Sequence, residues 1–212
     1  MFDIKGMLLE LLLSLPALLI ALTAHEYAHG LAALKMGDYT AKYSGRLSMN
    51  PLHHLDLIGT LCLLLFHFGW AKPVPINPNN FRNPRKGIII VSLAGPFANF
   101  LLAIVFGFVL AAMGKYAPAN AVTEFLYTIV SYCVVLNVGL MVFNLIPIPP
   151  LDGSKVLLEF LPYRYKAVFY QYERYIGLIF FVLLIFGLLS PVLNFLARYV
   201  FLFINFLTGL VF

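Results

Sequence analysis

The chain has 212 residues, of which 62% are hydrophobic and 11% charged, against roughly 45–50% and about 25% in soluble domains. So few charges cannot cover a water-exposed surface, which excludes a soluble domain and marks an integral membrane protein. The formal net charge of +5 then reads as basic cytoplasmic loops beside anionic lipid, with no nucleic-acid partner.

In chain order, residues 7–34 form the first apolar segment, long enough to cross ~30 Å of hydrocarbon. Pro16 is positioned to kink it. The run extends past any signal-peptide core and carries ionisable residues, so it reads as a retained span. Residues 35–56 are polar and glycine-containing, and partial alternation over 39–49 suggests a small β hairpin. Residues 57–68 are apolar but reach only ~18 Å as a helix, so they read as re-entrant, with Asp56 as their cap. A loop rich in proline and asparagine fills 69–87.

Two further full spans follow at 88–113 and 122–146, joined by a short turn. Pro147-Ile148-Pro149-Pro150 cannot stay helical. A short helix is expected from Asp152-Gly153 to about Leu161, then apolar segments at 175–189 and 192–212 parted by Ser190-Pro191. The fold class is therefore an all-α polytopic membrane protein with about five full transmembrane helices. It forms a single membrane-embedded domain over 1–212, with a catalytic core at about 7–160 and C-terminal helices at about 175–212. Basic residues concentrate in 35–87 and 147–174, which places both stretches on the cytoplasmic side of a cell membrane and the N-terminus outside. Cys62 and Cys133 sit in apolar runs without a paired ligand motif and read as small hydrophobes.

The sharpest chemical signal is His25-Glu26-Tyr27-Ala28-His29. Histidines at i and i+4 share one helical face and can share a zinc ion, and the adjacent Glu26 can take a proton from the metal-bound water. Three ionisable residues inside a span are costly in lipid unless they face a wet or protein-lined cavity. An interhelical hydrogen-bond cluster is the bland account of them. A catalytic zinc site needs a third protein ligand. Asp152 is the candidate, because the third span returns to the same face before the proline-rich segment. Taken alone, Asp152 reads as a helix cap; the unfilled zinc position favours the ligand reading.

The chain resembles the site-2 proteases, peptidase family M50, in their compact form without PDZ or CBS domains. The resemblance rests on His25-Glu26-x-x-His29 paired with Asn144-x-x-Pro147-x-x-x-x-Asp152-Gly153. Gly95-Pro96-Phe97-Ala98-Asn99 and Gly69-Trp70-Ala71-Lys72-Pro73-Val74-Pro75 support it, and it covers about residues 20–155. It implies one Zn2+ per chain on His25, His29 and Asp152, with Glu26 as general base. It also implies hydrolysis of peptide bonds within or beside transmembrane segments of single-pass membrane proteins, the active site opening toward the cytoplasm. In the family a β element near the active site receives the unwound substrate as an added strand, the role the hairpin at 39–49 would fill.

Asn144 and Asn99 each have two readings: contact with the substrate backbone or developing oxyanion, or an interhelical hydrogen bond. His53, His54 and His67 read as loop or interfacial residues. A catalytically silent module that binds membrane helices is the rival function, and a metal or proton transporter the next. Pure binding does not need a base at Glu26, and no inverted repeat or second broken helix suggests transport.

Overall fold

The computed structural model describes residues 4–56, 59 and 71–212. Among them the secondary structure is helical, without strands. α1 covers Ile4–Met36, α2 is a single turn at Thr40–Tyr43, α3 covers Pro84–Tyr116 and α4 Ala121–Asn144. α5 covers Asp152–Phe160, α6 Tyr163–Ile185 and α7 Ser190–Gly209. Five segments are long and apolar enough to cross a membrane: Leu9–Met36, Pro84–Tyr116, Ala121–Asn144, Tyr163–Ile185 and Ser190–Gly209. The protein is thus a multi-pass helical membrane protein, as its composition implies. The expected re-entrant segment at 57–68 lies outside the described residues except for Gly59, whose amide donates to Asp56 Oδ1 at 2.8 Å.

Local signals explain the helix limits. Asn83 accepts from the Lys86 amide and Pro84 opens α3, while Asn120 accepts from the Thr123 amide at the start of α4. α1 runs through Pro16. α6 begins well before the apolar stretch that announced it at residue 175, because the basic and tyrosine-rich segment after Pro162 is itself helical. Lys166 Nζ bonds Glu159 Oε1 at 3.1 Å across that junction.

α1, α3 and α4 pack against one another and form the centre. Many of the side chains buried on these helices are small: Ala17, Ala21 and Ala33 on α1, Gly95 and Ala103 on α3, and Cys133 and Val138 on α4. Close backbone approach of this kind is how helices associate where lipid supplies no hydrophobic drive. α7 closes one side: a Cβ on Gly107 would lie 2.5 Å from Ile204 Cγ2. α6 stands further off, with Phe180 its one buried side chain.

The hairpin expected at 39–49 is not formed. Asp38, fully buried beyond the end of α1, accepts from the Thr40 amide and hydroxyl, the Asn77 amide at 2.7 Å and Asn80 Nδ2 at 2.8 Å. Those bonds turn the chain into α2, and left-handed Gly37 and Gly45 bracket the turn. Asp38 thereby ties α1 to the extended segment at 72–77, here called the strap.

Burial by itself pushes the Asp38 carboxyl up, but hydrogen bonds from Thr40, Asn80 and Asn77 outweigh it and hold it below the usual carboxylate range. The resulting stability is fully present above the unfolded value, about 3.9, and is lost as pH falls through the lower folded value. Asp38→Ala should cost about 1–3 kcal/mol by removing the shared acceptor of four part-buried hydrogen bonds. The check is a thermal midpoint in detergent at neutral pH, with the deficit narrowing once Asp38 is protonated in the wild type. Equal midpoints at neutral pH would show that Asp38 does not hold the strap.

Candidate metal centre

His25 and His29 are one helical turn apart on α1 and both are buried. Their rings meet edge to face, with 3.0 Å between the two Nε2 atoms. Asp152 reaches them from the first residue of α5. Its Oδ2 lies 3.3 Å from His25 Nε2 and 3.0 Å from His29 Nε2. One ligand atom from each of the three residues falls within a 4.8 Å cluster.

Asp152 does not cap α5. The cap position is Leu151, Asp152 is the first helical residue, and no side-chain capping bond is present. Gly153 allows this placement. A Cβ there would lie 2.3 Å from the Leu145 carbonyl oxygen and 2.6 Å from that of Ile146, so α5 can start against the end of α4 only with glycine at this position. Lys155 Nζ holds the second carboxylate oxygen, Oδ1, at 2.9 Å, leaving Oδ2 to the imidazoles.

Both histidines are fixed from behind. His29 Nδ1–H donates to the Val91 carbonyl at 2.7 Å, and His25 Nδ1–H to Asn99 Oδ1 at 2.6 Å. Nε2 of each ring is therefore the atom turned toward Asp152. Gly95 of α3 lines the space beside them, since a Cβ there would come within 2.5 Å of His29 Nε2 and 2.6 Å of His25 Nε2. Two inward imidazoles, one carboxylate oxygen and a gap that glycine keeps clear fit a zinc ion, which takes nitrogen and oxygen ligands of this kind.

Glu26 does not join this cluster. Its Oε2 accepts from the Val74 amide at 2.8 Å. The strap is held elsewhere by the Lys72 amide on the His54 carbonyl at 2.8 Å and by Arg46 Nη2 on the Lys72 carbonyl at 2.6 Å. Glu26, Pro73 and Asn144 border two cavities of about 500 and 1040 Å³. The smaller also reaches His29, Asp152 and Lys155. The larger extends from His25 along Tyr170, Glu173 and Leu178 of α6.

Of the residues singled out from the sequence, His25, His29 and Asp152 come together with Glu26 beside them. Asn144 lies on the cavity walls, its Nδ2 bonded to the Leu140 carbonyl at 3.0 Å. Asn99 is fully buried behind His25. His53 is exposed, whereas His54 is buried and bonds the Ser48 carbonyl through Nε2 at 2.7 Å; His67 lies outside the described residues. Lys155, the Val74 amide and Asn137, the partner of Asn99, were not anticipated. Asn137 did carry a signal, as an amide well inside an apolar span.

Comparison with known proteins bears on the same residues. The sequence profile of peptidase family M50 matches residues 14–187. The chain belongs to peptidase family M50. YwhC of Bacillus subtilis (strain 168), provisionally named a zinc metalloprotease, is 41% identical over 178 residues, covering 83% of this chain and 81% of that protein. Rip2 of Mycolicibacterium smegmatis, with the same kind of name, is 32% identical over 181 residues, covering 83% of this chain and 66% of its own. MJ0611 of Methanocaldococcus jannaschii, also so named, is 32% identical over 155 residues, covering 71% of each chain. No solved structure matches the chain. The M50 match spans α1 to α6, so the family segment contains His25, Glu26, His29 and Asp152 together.

If Gly95 keeps the metal position open, Gly95→Ala should weaken zinc binding about tenfold or more, since an extra methyl in a packed site costs about 1–3 kcal/mol. Chelator competition on the purified protein reads this directly. Wild-type affinity in Gly95→Ala would mean that the gap is not the metal's position.

Proposed function

We propose that this M50 peptidase is an intramembrane zinc metalloprotease. It hydrolyses peptide bonds within or beside transmembrane segments of single-pass membrane proteins, with Glu26 as general base. The observation that carries this reading is the convergence of His25, His29 and Asp152 within 4.8 Å, beside Glu26 and on a helix apolar enough to span the bilayer. Family membership and the zinc-metalloprotease names of the relatives support Zn2+ as the cofactor.

His25, His29 and Asp152 would hold the ion. When bound, zinc supplies Lewis acidity and lowers the pKa of a water toward neutrality. The chain's own residues do the rest. Lys155 neutralises and orients Asp152 through Oδ1. The Val74 amide anchors Glu26 through Oε2, and a carboxylate held by one oxygen retains the other to take a proton from the attacking water. That proton then passes to the leaving amine as the C–N bond breaks.

Asn144 borders both cavities and is the side chain we assign to the substrate backbone or the developing oxyanion. A substrate helix hides its amides, so it must be extended to be cut. The larger cavity, between the centre and α6, is where we expect such a segment. The basic residues of 35–87 and 147–174 favour a cell-membrane orientation with the site open to the cytoplasm and the N-terminus outside. We read the whole chain, 1–212, as one protease domain.

Glu26→Gln should retain zinc and lose about 10²–10⁴-fold in the cleavage rate of a reconstituted transmembrane substrate. Cleavage at the wild-type rate would remove Glu26 as the base. Asp152→Ala should lose zinc as well as activity; full zinc occupancy in that variant would exclude Asp152 as a ligand.

A further inference from the structure

The bond behind His25 belongs to a longer chain of contacts in the middle of the membrane region. Asn99 and Asn137 are both fully buried. Asn137 Nδ2 donates to the Cys133 carbonyl at 2.8 Å, one turn earlier on α4. Asn99 Nδ2 donates to the Ala21 carbonyl on α1 at 3.0 Å and to Asn137 Oδ1 at 2.9 Å. Asn99 Oδ1 accepts from His25 Nδ1.

The direction of every bond in this chain is set by two groups that can only accept. The Cys133 carbonyl requires Asn137 to present Nδ2 to it, which turns Asn137 Oδ1 toward Asn99. The Ala21 carbonyl and Asn137 Oδ1 then both require Asn99 Nδ2. Asn99 is left with Oδ1 facing His25, and an oxygen there accepts only from a protonated Nδ1. Turning Asn99 over would set its oxygen against two other oxygens and put an N–H donor on His25 Nδ1. That would drive the ring proton to Nε2, the atom facing Asp152. His29 needs no such device, because the Val91 carbonyl can only accept.

We propose that Asn137 is a positioning residue for the metal centre. Acting through Asn99, and together with the Ala21 carbonyl, it fixes the His25 tautomer with Nδ1 protonated and the Nε2 lone pair directed at the ion. The inference rests on His25 being a zinc ligand. It gives α4 a part in the site independent of Asn144 and Asp152, and it makes Asn99 a holder of His25 rather than a contact for substrate. Outer partners of ligating histidines typically change metal affinity by about 10–100-fold.

The test uses the full chain in detergent, stripped of metal. Zinc affinity is measured by chelator competition, the Co2+ absorption spectrum is recorded, and the metal-free thermal midpoint is followed. The variants are Asn137→Leu, Asn99→Leu and the double variant. Each single change should weaken zinc binding about tenfold or more and alter the Co2+ ligand-field bands. The double variant should bind zinc no more weakly than Asn99→Leu, because Asn137 acts through Asn99.

A lower thermal midpoint with unchanged zinc affinity in Asn137→Leu would overturn the proposal, leaving a packing role. Losses that multiply in the double variant would also overturn it. If Asn137→Leu does not fold, the double variant still decides, since it removes the Asn99 N–H that the single change strands and leaves His25 Nδ1 without its acceptor, the state the relay exists to prevent; wild-type zinc affinity there refutes the relay. His25→Ala separates this failure from failure of the zinc site. Zinc lost in His25→Ala but kept in Asn137→Leu refutes the relay alone, whereas zinc kept in both refutes the site.

Discussion

The contact between Asp152 Oδ2 and the two imidazole Nε2 atoms joins α1 to the segment after α4, and much of the architecture exists to make it. α4 has to stop at the right depth, which the prolines after Asn144 enforce. The next helix has to begin against the carbonyls that α4 leaves behind, which requires Gly153. α3 has to pass close to the imidazoles without filling the space between them, which requires Gly95. Each condition is local, and failure of any one would separate ligands that come from distant parts of the chain.

Polar groups at this depth survive because each is given partners. Isolated amides and imidazoles in hydrocarbon are costly. Here the buried amides of Asn99 and Asn137 engage backbone carbonyls, each other and His25. Asp38 follows the same rule outside the membrane, collecting donors from α2, the strap and Asn80. The small residues lining α1, α3 and α4 let the backbones come close enough for these bonds to form.

How much of this was legible follows from the range of each signal. The span count could be read because a long apolar run has few alternatives to a membrane helix. His25, Glu26 and His29 could be read because helical spacing is local. Asp152 could be nominated by counting crossings, but its relation to His25 and His29 depends on how α5 starts. The hairpin at 39–49 failed because weak alternation was overridden by a buried carboxylate whose partners lie some forty residues away. The start of α6 failed because its first turns are polar and an apolar-run criterion misses them. Asn137 went unread because the side chain it meets depends on the rotation of α4 against α3, which no short window of sequence carries.

The strap contains one more constraint. Val74 lies between Pro73 and Pro75, so the amide on Glu26 has no donor on either side of it. Sliding the strap by one residue in either direction would bring a proline nitrogen, which carries no hydrogen, to the carboxylate. A slip of one residue is therefore closed to it, and the alternation of prolines around Val74 is what closes it.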